Sequence, residues 1–98
     1  MKQPGDCTNM ADIREAIDYL DREIIGLIGR RAGYVRVAAR FKTGEADVRA
    51  PERQNAVLKA RREWAEEEGL DPEVIQKVYR DLISYFVDRE FEDWRADG

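Results

Sequence analysis

One continuous stretch governs the expected architecture of this chain, DIREAIDYLDREIIGLIGRRAGYVRVAARF at residues 12–41. Its core-facing positions recur at alternating intervals of four and three, the spacing that places side chains on one stripe of a helix as a heptad seam. The seam consists of Ile13, Ile17, Leu20, Ile24, Leu27, Arg31, Tyr34, Ala38 and Phe41. The stretch therefore predicts a long first helix, over about residues 9–42, with Thr8 as its N-cap.

The predicted length of this helix has a consequence for assembly. About 33 residues at 1.5 Å each give a rod of ~50 Å, whereas a compact domain of this size has a radius of gyration of ~13 Å. Two shorter helices of the same chain cannot cover such a rod, so we expect the seam to be buried against a second copy in a two-fold dimer. The alternative is that Gly26, Gly29 and Gly33 bend or break the helix, and the chain folds as a monomeric bundle.

Two further helices are predicted from the residues that start and stop them. Pro51 suits a first helical position and Gly69 a C-terminal stop, which gives a second helix over about residues 51–68. Asp71 then serves as the N-cap of a third helix, over about residues 71–95.

Apolar residues spaced by threes and fours also mark the inner faces of these two helices. The faces consist of Val57, Leu58, Arg61, Trp64 and Ala65 in the second helix, and of Ile75, Tyr79, Leu82, Ile83, Phe86, Val87, Phe91 and Trp94 in the third. The polar residues 43–50 are expected to form a loop. Because no stretch shows the alternation of a strand, residues 1–98 are expected to form a single all-α domain with three helices.

The composition excludes several classes of function. The 98 residues contain no His and a single Cys, Cys7, so a histidine general base, a catalytic triad with His, a disulfide framework and a cysteine-rich zinc site are all excluded within one chain. With 17 Lys+Arg against 21 Asp+Glu the net charge is −4, which argues against nucleic acid or an anionic membrane as a partner. The N-terminus lacks the apolar stretch of a signal peptide, so a cytoplasmic protein is expected.

Two charged residues fall where the apolar patterns predict buried side chains. Arg31 interrupts the seam of the first helix, and Glu90 takes the equivalent step of the third, between Val87 and Trp94. A buried charge is costly without a partner. The two residues therefore either pair as a buried ion bridge or contribute to a binding pocket.

The ion bridge leaves three cations unexplained, which favours the pocket. Lys42 ends the first helix, Arg14 flanks the other end of the seam, and Arg53 opens the second helix. Arg14 and Arg31 are separated by about 25 Å of helical rise, too far for both to contact one small ligand within a chain. In an antiparallel dimer the partner contributes Arg14 to a pocket near Arg31, which predicts a shared cationic site for a small dicarboxylate.

Five short motifs bear on the identity of the fold: ADIREAID at residues 11–18, GRR at 29–31, RFK at 40–42, APER at 50–53 and WAEE at 64–67. With these motifs the chain resembles the all-helical, type II chorismate mutases, over nearly its whole length. It is most similar to their isochorismate-pyruvate lyase branch, which makes salicylate for siderophores.

The resemblance implies an intertwined homodimer with two equivalent sites and no cofactor. Arg14 of one chain and Arg31 of the other would bind the substrate carboxylates, and Lys42 would reach a carboxylate and the ether oxygen whose bond to carbon breaks. Arg53 would support the site, and position 90 would face the same ether oxygen from the far side. The expected catalytic residues are Lys42 and Glu90, and the expected substrate-binding residues are Arg14, Arg31, Arg53, Gln54 and Val87.

Two departures from the family pattern bear on the activity. Position 90 is usually Gln in the close relatives and is Glu90 here. Typical mutases also carry acidic residues where this chain has Ala50 and Gln54. Gln54 can still bond a substrate hydroxyl, but the loss of both acids favours the lyase.

The resemblance therefore leads to a specific expectation for the reaction. The chain is expected to convert isochorismate to salicylate and pyruvate by a pericyclic mechanism, with secondary chorismate mutase activity. The alternatives are a chorismate mutase as the main activity and, in another class, a non-catalytic dimeric helical interaction module.

Overall fold

The computed structural model describes residues 2–97, and within them the regular structure is entirely helical, as expected. Four α-helices occur: α1 (Met10–Ala38), α2 (Glu45–Arg49), α3 (Pro51–Glu67) and α4 (Pro72–Asp97). Short 3-10 turns cover Pro4–Asp6 and Ala39–Phe41. The chain divides between Tyr34 and Val35 into two compact units.

The start of α1 shows that the prediction of Thr8 as N-cap was wrong by one residue. Asn9 is the capping residue, because its side-chain oxygen accepts the backbone N–H of Asp12 at 2.9 Å. The Asp12 carboxylate reaches back to the backbone N–H of Thr8 at 3.1 Å and to its hydroxyl at 3.2 Å. Asn9 therefore caps α1, and Asp12 holds the preceding residue, Thr8, through its N–H and hydroxyl.

The seam of α1 lies at the surface of the first unit. Its apolar members from Ile13 to Tyr34 are between 39% (Ile13) and 78% (Tyr34) exposed, and α1 contains no buried residue. The helix runs unbroken through Gly26, Gly29 and Gly33, which contradicts the alternative of a helix broken at the glycines. A regular row of exposed aliphatic and aromatic side chains is typical of a surface that a partner covers.

The predicted end of the first helix and the predicted loop both differ from the structure. α1 ends at Ala38 and a 3-10 turn carries the chain to Lys42, so the helix is shorter than the predicted span to residue 42. Within the predicted loop the five-residue helix α2 forms and buries Val48 to 2% exposure. The chain then turns through Ala50, whose φ of 39° and ψ of 60° are left-handed.

The second unit is built on the antiparallel pair α3 and α4, which makes most of its interhelical contacts. Its buried apolar side chains are Ala39, Val48, Val57, Ala65, Ile83, Phe86 and Phe91. Gly69 ends the α3 region with a φ of 73°, a conformation that favours glycine. Asp71 caps α4 through its carboxylate, which accepts the N–H of Glu73 at 2.9 Å.

One residue of the predicted inner face of the second helix is exposed to solvent. Trp64 is 50% exposed, and the guanidinium of Arg61 lies 4.5 Å above its ring. The same guanidinium lies 5.6 Å from the ring of Tyr79, so two aromatic faces accommodate this inward-facing cation. Within residues 2–97, no helix is long and apolar enough to cross a membrane.

Candidate active site

The second unit brings Lys42 and Glu90 together. Lys42 follows the 3-10 turn after α1, and Glu90 lies on the buried side of α4. The Lys42 Nζ is 3.7 Å from the Glu90 Oε1, which is an ion-pair distance longer than a hydrogen bond. Both side chains are shielded, with exposures of 25% for Lys42 and 10% for Glu90.

Glu90 is a buried acid with an incompletely satisfied carboxyl group. Its Oε1 accepts no hydrogen bond from the residues that the structure describes. Burial raises the pKa of Glu90 above its ordinary value, the positive charge of Lys42 opposes that rise, and the negative charge of Asp93 adds to it. The neutral carboxylic acid, which can donate a hydrogen bond, therefore persists to a higher pH than in an unburied Glu.

Lys42 is held by the segment that follows it. Its Nζ donates to the backbone carbonyl of Asp47 at 3.1 Å. The Asp47 carboxylate accepts the hydroxyl of Thr43 at 2.6 Å and the backbone N–H of Thr43 at 3.0 Å, and these bonds hold the pKa of Asp47 below its ordinary value. From α4, the indole N–H of Trp94 donates to the Lys42 carbonyl at 3.2 Å.

A groove beside this pair contains two predicted substrate-binding residues. It has a volume of about 330 Å³, within the range of small-molecule sites. Its lining residues are Arg49, Pro51, Gln54, Leu58, Arg80, Ile83, Ser84, Val87 and Asp88. Lys42 and Glu90 are not among them, but Val87 precedes Glu90 by three residues on α4 and therefore lies on the same side of that helix.

Gln54 and Arg53 differ in their contacts within the chain. The Gln54 amide donates to the carbonyl of Arg49 and so closes the left-handed turn at Ala50. One of its two N–H donors is therefore engaged in the fold. Arg53 is exposed, and no ion pair of its guanidinium occurs among the described residues.

The two arginines of α1 that were predicted to bind substrate, Arg14 and Arg31, belong to the first unit. Arg14 is exposed and Arg31 is half-buried. Their separation of 17 residues along a continuous helix corresponds to about 25 Å, so they do not form one small site within a chain.

The sequence patterns missed two contributors to the arrangement around Lys42. Trp94 was predicted as an apolar face residue, and its polar N–H was not considered. Asp47 was placed in an irregular loop. A signal for Asp47 was present, because Thr43 and Asp47 repeat the Thr-x-x-x-Asp spacing of Thr8 and Asp12 that caps α1.

Comparison with known proteins identifies the family of this chain. The family model of type II chorismate mutase matches residues 13–91. A protein named isochorismate pyruvate lyase from Pseudomonas aeruginosa is 46% identical over 95 residues, which covers 97% of this chain and 94% of that protein. A T-protein from Haemophilus influenzae is 36% identical over 85 residues, covering 84% of this chain and 22% of the T-protein.

These matches confirm the resemblance seen in the sequence motifs, and the all-α fold agrees with them. The family match covers most of the chain, including Lys42 and Glu90. The chain belongs to the type II chorismate mutase family.

Proposed function

We propose that the chain is an isochorismate pyruvate lyase, which forms salicylate and pyruvate from isochorismate and has secondary chorismate mutase activity. The observation that carries the proposal is the shielded pair of Lys42 and Glu90, with the Lys42 Nζ 3.7 Å from the Glu90 Oε1. The near full-length similarity to a protein named isochorismate pyruvate lyase supports the choice of reaction.

The proposed reaction needs no base, nucleophile or metal. In isochorismate, the bond from the ring carbon to the ether oxygen breaks, and a ring hydrogen moves to the methylene carbon of the enolpyruvyl group. The ether oxygen becomes the keto oxygen of pyruvate, and the ring becomes aromatic. The protein needs to hold the enolpyruvyl group over the ring and to stabilise negative charge that develops on the ether oxygen.

Lys42 and Glu90 suit this second requirement. The Lys42 ammonium supplies positive charge in a shielded site, where a single well-placed donor is typically worth ~3–4 kcal/mol of barrier. A neutral Glu90 donates a hydrogen bond to the same oxygen, whereas an ionised Glu90 repels it. The raised pKa of Glu90, caused by burial, favours the productive form.

The remaining roles rest on the family resemblance and on charge. Arg31 and the partner's Arg14 bind the two carboxylates, and Arg53 supports the site from α3. Val87 packs against the substrate. The Gln54 amide donates one N–H to Arg49 and keeps its oxygen and second N–H for a substrate hydroxyl. The absence of acidic residues at positions 50 and 54 favours the lyase over the mutase.

We further propose that the seam of α1 is covered by a second copy of the chain, in an intertwined homodimer. Its apolar side chains are exposed in a single chain, and the dimer supplies the second arginine. We propose the cytoplasm as the location, and salicylate for siderophores as the product's use.

The first experiment supplies isochorismate and chorismate separately to the purified protein and measures salicylate fluorescence and prephenate. We expect salicylate from isochorismate at a higher kcat/KM than prephenate from chorismate. Lys42→Ala should reduce salicylate formation by a factor of at least about 100, and Lys59→Ala, at an exposed site on α3, should not. Preferred formation of prephenate would favour the mutase, and the absence of both products would refute the proposal.

A further inference from the structure

Lys42 is held at three points by atoms from three parts of the second unit. Its backbone N–H donates to Ala39 at 3.3 Å, its carbonyl accepts the indole N–H of Trp94 at 3.2 Å, and its Nζ donates to the carbonyl of Asp47 at 3.1 Å. The first bond belongs to the 3-10 turn. The other two come from elements that pack around Lys42.

The Trp94 bond connects Lys42 to the helix that carries Glu90. Trp94 lies four residues after Glu90 and therefore one turn further along α4. Its half-buried ring packs edge-to-face on Phe91, with centroids 6.4 Å apart, so the orientation of the indole is restricted. A single helix thus determines the positions of both the Lys42 backbone and the Glu90 carboxyl group.

The Asp47 bond fixes the other end of the lysine. The Thr43 hydroxyl and N–H both bind the Asp47 carboxylate, which closes a five-residue turn. Val48, the next residue, is buried, and the guanidinium of Arg49 lies 5.1 Å from the ring of Phe91. The carbonyl that accepts the Lys42 ammonium is therefore anchored on both sides.

We propose that Trp94 is a positioning residue for Lys42, and that the turn closed by Thr43 and Asp47 is the second half of the same clamp. The proposal rests on the proposed function in one respect, the role of Lys42 at the ether oxygen. The clamp holds the ammonium beside Glu90 before the substrate arrives, so that its position does not have to be established during the reaction. A misplacement of about 1 Å is enough to reduce turnover 100-fold.

The kinetic test compares Trp94→Phe with Trp64→Phe. Both variants lose an indole, but Trp64 lies in the C-terminal half of α3 and is 50% exposed. We expect Trp94→Phe to lower kcat for isochorismate by about 10- to 100-fold with a smaller change in KM, and Trp64→Phe to change kcat less than about twofold. Equal effects of the two substitutions would overturn the proposal.

A double-mutant cycle separates positioning from a general loss of packing. If Trp94 acts through Lys42, Trp94→Phe should have almost no further effect on kcat in a Lys42→Ala background. A full, additive loss in that background would show that Trp94 acts by another route. Asp47→Ala, which removes the turn but leaves α4 intact, should lower kcat in the same direction as Trp94→Phe.

A measurement on the unmutated chain tests the clamp without depending on activity. Hydrogen exchange of the two indole N–H groups is followed by NMR, with each signal assigned from the corresponding Phe variant. The Trp94 N–H should be protected at least about tenfold more than the Trp64 N–H, since the former is hydrogen-bonded to the Lys42 carbonyl. Equal exchange would refute the clamp even if salicylate is formed, whereas protection without salicylate would refute the proposed function and leave the clamp in place.

Discussion

Glu90 is an acidic residue that the fold buries and that has a proposed role in the reaction. It occupies an apolar position of α4, is buried, and lies at ion-pair distance from Lys42. Burial raises the pKa of Glu90 despite the opposing effect of Lys42. Because the pKa in the folded state lies above that in the unfolded state, protonation of Glu90 stabilises the fold at low pH, and this contribution is lost as the pH rises through the raised pKa.

Ala50 gives a second prediction at the residue scale. Its φ of 39° costs a residue with a Cβ about 1–2 kcal/mol, and Gly adopts this conformation without that cost. The greater flexibility of Gly in the unfolded chain offsets about 0.4–1 kcal/mol of the gain. We therefore expect Ala50→Gly to increase the free energy of unfolding by up to about 1 kcal/mol, measured by urea denaturation. Ala46→Gly, within α2, is the control and should lower stability.

At the scale of elements, the two Thr-x-x-x-Asp turns explain how α1 and α2 begin. The pKa of Asp12 is lowered by the backbone N–H of Thr8 and by Lys2, and that of Asp47 by the hydroxyl and backbone N–H of Thr43. A lowered folded-state pKa means that each carboxylate stabilises its helix fully above the ordinary value of 3.8 and loses this effect as the pH falls through the lower value.

This linkage predicts the acid response of the helix starts. The melting temperature should fall as the pH drops below about 4, and the double variant Asp12→Asn, Asp47→Asn should show a smaller drop over that range. Thermal melts followed by circular dichroism measure the effect. Asp18→Asn with Asp21→Asn, on the exposed side of α1, provides the matched control. A drop of the same size in both double variants would show that the turns are not responsible.

The elements also show what the sequence could predict. The seam, Pro51 and Gly69 were sufficient to predict three main helices, because periodicity and capping act locally. The helix α2 was missed, because five residues are too few for a periodic pattern and its stability comes from burying Val48 against α4. Lys42 and Glu90 were predicted as catalytic residues from the family motifs, while the contact of Trp94 with Lys42 spans 52 residues and leaves no local signal.

At the scale of the whole molecule, the proposed dimer makes a prediction about shared sites. If Arg14 and Lys42 in one site come from different chains, neither Arg14→Ala nor Lys42→Ala should support rapid turnover alone. After the two variants are mixed, partially denatured and refolded together, half of the dimers are mixed and each contains one intact site. We expect recovery to about a quarter of the unmutated activity.

The control for this experiment mixes Lys42→Ala with Arg31→Ala. Both residues are proposed to come from the same chain of a given site, so each site of a mixed dimer lacks one of them and no activity should be recovered. Recovery with Arg31→Ala but not with Arg14→Ala would show that Arg31, and not Arg14, comes from the other chain. Failure of both mixtures would argue against a site shared between chains.

The proposed action of Lys42 at the ether oxygen, beside a neutral Glu90, is tested most directly by the pH dependence of salicylate formation. The measurement compares kcat for isochorismate in the unmutated protein and in Glu90→Gln, across the range from weakly acidic to weakly basic pH. The activity of the unmutated protein should fall as the pH rises through the titration of Glu90, and Glu90→Gln should remain active with a flat profile. Superimposable profiles in the two proteins would contradict it.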